Sequence, residues 1–136
     1  MFLTSFLWFY NVRSMKKSNP LWKKANKLWS EVVKLRAKGI CQLCGTRAGT
    51  GSHHIIARRF TGTAFLPENG IWTCQVCHNH DDIELSLKCI KIIGTEAHWE
   101  LYIKSIQPTQ LREADLKEIA EQLQKEKDES RNKTEN

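Results

Sequence analysis

The feature that most constrains the fold of this chain is a pair of Cys-x-x-Cys steps, Cys41/Cys44 and Cys74/Cys77, separated by 29 residues. Each step brings two sulfur atoms around one tight turn, and two such turns supply the four thiolates of a tetrahedral structural zinc site. Two disulfides or unrelated redox thiols are the alternatives, and paired spacing favours zinc. A fifth cysteine, Cys89, stands alone. A metal anchor suits a chain of 136 residues, because domains of this size bury a modest core and commonly lean on metals or disulfides. The 29-residue gap is longer than a minimal zinc ribbon needs, which leaves room for an inserted hairpin.

Charge indicates a polyanionic partner. The chain is net +6 with an isoelectric point near 9.2, and the excess is concentrated. Residues 15–40 carry eight Lys/Arg against one acid, Glu31, while 41–109 is balanced at six and six. Ser18-Asn19-Pro20 is a helix start. Leu21, Ala25, Leu28, Trp29 and Val32 then recur at helical spacing, so 15–39 reads as a basic amphipathic helix ending at Gly39. Trp22 and Trp29 read as core anchors. Lys23 and Lys27 lie on the polar side, either as a solvated face or as a surface for backbone phosphates. The apolar stretch 1–14 lacks a basic lead and a cleavage site and is too short to span a bilayer. It reads as a leader or upstream extension outside the functional unit, with no membrane partner and a cytoplasmic location expected.

The periodicities predict an α+β fold. Ile40 to Gly45 forms a knuckle, with Gly45 free to take a positive φ. Ser52–Ile56 and Ile71–Thr73 pair as two short strands, and the chain turns helical at Cys74, with His78 and Asp82 one turn apart on one face. Leu85, Leu87, Ile90, Ile92 and Ile93 make a second apolar patch, stopped by Gly94. Thr95 caps a helix bearing Trp99 and Tyr102, Pro108 breaks it, and Thr109 opens a charged helix. C-terminal helices thus cover 85–126, and the composition of 127–136 predicts a disordered tail.

Within the central segment 40–84 stands the doublet His53-His54. A strand points the two rings to opposite faces, so they cannot readily be equal ligands of one ion. They can divide the work: one binds a metal, the other acts as base, and His78 completes the metal site. His53-His54-Ile55-Ile56, then Pro67-Glu68-Asn69-Gly70-Ile71, then Cys74-x-x-Cys77-His78 resemble the HNH endonucleases, the ββα-metal class with a zinc-knuckle frame. Ile92-Ile93-Gly94-Thr95-Glu96 and the helix after it are loosely similar to small phage HNH proteins and the phage NinG recombination family.

That resemblance implies a small ββα-metal finger on the Cys41, Cys44, Cys74, Cys77 zinc knuckle, flanked by an N-terminal helix and C-terminal helices. It implies that His53 and His78 ligate a catalytic Mg²⁺, Mn²⁺ or Ni²⁺ and that His54 is the general base. Asn69 would orient that base through a carbonyl. Asp82 stands where many relatives carry another histidine, and suits a hard cation. His80 competes as third ligand, whereas His98 falls outside the motif. Arg58 and Arg59 are candidates to grip phosphate, or else an ordinary surface pair. The expected activity is hydrolysis of DNA in phage recombination or processing, in the host cytoplasm, leaving 5′-phosphate and 3′-hydroxyl ends. A homodimer or a recombination partner fits double-strand cutting. The competing expectation is a non-catalytic zinc-knuckle DNA-binding or recombination accessory protein. A RING- or LIM-like interaction module would need further regularly spaced Cys/His ligands that the chain lacks.

Overall fold

The computed structural model describes residues 17–79 and 81–136; residues 1–16, with the expected leader 1–14, and His80 lie outside them. Proline at the first helical position starts α1, Pro20–Arg36, and the Asn19 side chain accepts from the Leu21 N–H at 2.8 Å. Its buried stripe is Trp22, Ala25, Leu28, Trp29, Val32 and Val33. The helix ends before the expected Gly39. Lys38 (φ 54°) and Gly39 (φ 75°) both take left-handed backbone and turn the chain away.

Two four-residue strands, β1 (Gly51–His54) and β2 (Gly70–Thr73), form an antiparallel pair. His53 stands opposite Ile71 and His54 opposite Gly70. Ile55 and Ile56, expected in the strand, leave it because their amides bond to Asn69 O at 3.0 Å and Asn69 Oδ1 at 2.7 Å. Helix α1 seats directly on this pair. A Cβ at Gly70 would lie 2.3 Å from Val33 Cγ2 and 2.8 Å from Trp29 Cζ2. Gly70→Ala is therefore expected to destabilise the protein by about 1–3 kcal/mol, the usual range for overpacking. The measurement is the urea midpoint at unchanged slope, and a wild-type midpoint would mean that α1 does not seat this closely.

The helix expected from Cys74 onward is two helices. α2, Gln75–His78, closes at His78, and α3, Asp82–Ile93, opens at Asp82. The break comes from Asp81, whose side chain accepts from the Glu84 N–H at 2.8 Å and caps the new helix. His78 and Asp82 thus do not share a helical face by one-turn spacing. α4, Thr95–Ser105, follows Gly94, and that glycine (φ 92°) rather than Thr95 is its cap residue. The second apolar patch is divided: Leu85 and Cys89 are buried with Ile71, while Leu87 and Ile92 face outward, as do Trp99 and Tyr102.

The last helix, α5, spans Glu113–Glu135 and begins later than Thr109, where the Arg112 N–H donates to Asp115 Oδ2 at 2.7 Å. Its Leu116, Ala120 and Leu123 join Trp22, Trp29, Ala64, Phe65 and Trp72 in the main core. Residues 127–136, expected to be disordered, continue this helix to Glu135. Lys127 Nζ reaches Glu31 Oε2 on α1 at 2.7 Å, and Glu126 pairs with Arg36. Composition does not register such cross-helix partners. Among the described residues the architecture is therefore small α+β, five helices and one two-stranded sheet, and no helix is long and apolar enough to cross a membrane.

Candidate active site

The four paired cysteines converge. Cys41 N–H donates to Arg47 O, and Gly45 N–H returns to Cys41 O, both at 2.8 Å, with φ of 69° at Gly45. Gln42 stitches this knuckle to β2: its N–H donates to Trp72 O and its Oε1 accepts from the Trp72 N–H, each at 2.9 Å. Cys74 caps α2, which carries Cys77 and His78. The four sulfurs all lie within 4.8 Å of one another, as free thiols.

Hydrogen bonds, first from the Thr46 side chain, hold Cys44 down to about 5. Burial pushes Cys77 up to about 12. Four sulfurs this close cannot all ionise alone, whereas a divalent cation among them lets each become a thiolate. Cys41, Cys44, Cys74 and Cys77 could hold a metal such as zinc, and their donor chemistry fits it.

The alternation of β1 sends its two histidines to different neighbours. His53 turns to α2, its ring centre 5.3 Å from that of His78 and edge-on at 76°. His54 turns to α1 and stacks on Trp29, with centres 3.8 Å apart and planes within 14°. His54 Nε2 lies 2.9 Å from Ala64 O. A carbonyl can only accept, so Nε2 carries the proton and Nδ1 keeps its lone pair. Burial pushes His54 down to about 4, helped by the Arg58 and His53 charges and opposed by the Ala64 bond. His53 is also lowered, first by burial and then by His78, with Asp82 opposing. Both are neutral imidazoles near pH 7.

A cleft of about 460 Å³ opens beside them, lined by His53, His54, Arg58, Asp82 and Ser86 among others. Arg59 is not in its lining and instead covers the Phe60 ring at 4.9 Å. Asp82 adds a carboxylate to the cleft beside His53, whereas His78 meets His53 by its ring edge and is not in the cleft lining. Among the described residues, however, the cysteines are the ligand group whose donor atoms close together; His53, His78 and Asp82 are neighbours rather than a converged set.

Asn69 is fully buried and holds the loop between the strands. Besides its two acceptor contacts with Ile55 and Ile56, its Nδ2 donates to Ile56 O and Thr63 O, each at 3.0 Å. No Asn69 carbonyl meets the His54 ring; Ala64, next to Thr63, supplies that carbonyl, and Asn69 acts one step away. Asn69→Ala is expected to cost about 3 kcal/mol or more, since it strands buried backbone groups as well as removing bonds. A denaturation midpoint close to wild type would remove this clamping role.

Two contributors escape residue-type reasoning. Ala64 acts through its backbone, which any residue could offer, and Trp29 reads in sequence as core alone. No family model, curated protein or solved structure matches this chain.

Proposed function

We propose that the protein is a metal-dependent DNA endonuclease of the HNH type, with β1, β2 and α2 as its ββα-metal finger on a four-cysteine zinc frame. The observation that best supports this reading is His54: a neutral imidazole, held in one tautomer by Ala64 O, on the wall of a cleft shared with Arg58 and Asp82. Its Nδ1 accepts the proton of a water attacking phosphorus in line, and the bond to the 3′ oxygen breaks, that oxygen taking a proton from solvent water as it leaves. Arg58 offers the phosphate a charged fork in the cleft. His53, His78 and Asp82 would hold a divalent ion, Mg²⁺, Mn²⁺ or Ni²⁺, whose charge stabilises the transition-state oxygens when bound. The test is cleavage of supercoiled plasmid with each of these ions, comparing wild type with His54→Ala.

Helix α1 supplies the nucleic-acid surface in this reading. Lys23 and Lys27 are exposed one turn apart. One turn further on, Ser30 Oγ accepts from Ser52 Oγ at 2.9 Å, and Ser52 lines the cleft. The one acid of α1, Glu31, is occupied by Lys127. Reversing both lysines to glutamate is expected to weaken duplex binding and to reduce the slope of log affinity against log salt by about 2. Fluorescence anisotropy without divalent ions reads both, and unchanged values would return this face to solvation.

A second reading is a non-catalytic zinc-knuckle DNA-binding or recombination accessory protein. It is favoured by the closure of the cysteine group alone among the described residues. Intact DNA binding with no cleavage under any of the three ions would select it.

A further inference from the structure

We infer that Trp29 is the positioning residue of the histidine cleft, fixing both the plane of the His54 ring and the loop that sets its tautomer. This inference rests on the reading of His54 as general base. An imidazole at the end of a four-residue strand has two free side-chain torsions, and a useful base must lose both. Stacking on Trp29 at 3.8 Å and 14° fixes the ring plane. The bond between Nε2 and Ala64 O fixes rotation within that plane. Ala64 belongs to a loop running on to Leu66, and the Leu66 carbonyl accepts the Trp29 indole N–H at 2.8 Å. Both restraints therefore lead to one side chain.

Trp29 can serve as a reference because it is itself immobile. It is 1 % exposed, and the missing Cβ of Gly70 lets its ring lie against β2. A buried indole needs some acceptor for its N–H, and a carbonyl anywhere in the core would do. Here the acceptor is in the loop that touches the imidazole. A purely structural tryptophan would lower stability on replacement and leave the tautomer of His54 untouched.

The experiment compares wild type, Trp29→Phe and Trp29→Leu at pH 7.5 by long-range ¹H–¹⁵N NMR of the His54 ring and by plasmid nicking. In wild type, one tautomer protonated at Nε2 is expected, with ring protons shifted upfield by the indole. Folded Trp29→Leu is expected to lose the shift, mix tautomers and lower kcat about 10- to 100-fold with KM within about twofold. Trp29→Phe, which keeps a stacking ring but loses the N–H to Leu66 O, is expected to keep the upfield shift and to recover only part of the lost kcat. Folded Trp29→Leu with the wild-type kcat, or with the single tautomer intact, would overturn the inference. Should that variant fail to fold, wild type alone decides: mixed tautomers or unshifted ring protons overturn it. A wild-type protein that cuts no DNA defeats the nuclease reading, and the NMR comparison then still shows whether Trp29 sets the ring.

Discussion

Replacing His54 with alanine is expected to lower metal-dependent plasmid nicking by about 10³-fold, within the range that a lost general base typically produces. That corresponds to about 4 kcal/mol of transition-state stabilisation. The fold should survive, because the substitution removes one hydrogen bond to Ala64 O and one ring stack, a loss of about 1–2 kcal/mol. DNA binding should also persist, since α1 and Arg58 are unchanged. The pH profile carries a second signature. With its pKa held at about 4 by burial, His54 is deprotonated at neutral pH and takes up a proton only as pH falls through that value. The acid limb of the wild-type rate should accordingly lie nearer pH 4 than the ordinary histidine value of about 6.5. Equal rates for wild type and variant at pH 7.5 would strip His54 of the role.

Which parts of this site were legible in the sequence follows from how local the physics is. The cysteine cluster depends on two turns whose spacing is written in x-x, and the four sulfurs do converge. The doublet on β1 depends on strand alternation, and the two rings do part, one to His78 and the other to Trp29. Periodicity alone puts His78 and Asp82 on one helical face, and it cannot register that the Asp81 side chain caps a new helix between them. Composition is likewise blind to partners: Glu31 and Arg36 of α1 meet Lys127 and Glu126, where the tail expected to be disordered begins, and α5 runs on to Glu135. The stacking of Trp29 on His54 joins residues 25 apart and exists only because α1 lies on the strand pair, so no local pattern encodes it.

Loss of the metal that Cys41, Cys44, Cys74 and Cys77 could hold is the change expected to have the largest structural effect. Purified protein should contain one zinc per chain, and a chelator or Cys77→Ser should disorder the knuckle and α2 and loosen the β1–β2 pair that they brace. Two four-residue strands are too short to persist unaided. The sulfur cluster is separate from the α1–α5 core, so the ion holds the knuckle and α2, while Trp72 and the Trp29–His54 stack tie the strand pair to that core. Apparent zinc-binding energies of about 10–16 kcal/mol in cysteine-rich modules match or exceed the whole stability of a small domain, about 5–15 kcal/mol. Amide NMR should show the knuckle and α2 lost and the β1–β2 amides less protected, while circular dichroism keeps most of the helical signal from α1 and α5. Cleavage should vanish with the knuckle and α2. His78 follows Cys77 directly, and its N–H is tied to Cys74 O at 3.0 Å, so loosening the sulfurs releases a proposed ligand of the second ion. Zinc-stripped protein should therefore stay inactive in excess Mg²⁺ or Mn²⁺ and recover when zinc is restored first. Protein that holds no zinc as purified, or whose strands and melting temperature ignore the chelator, would show that the cysteines hold the fold without a metal.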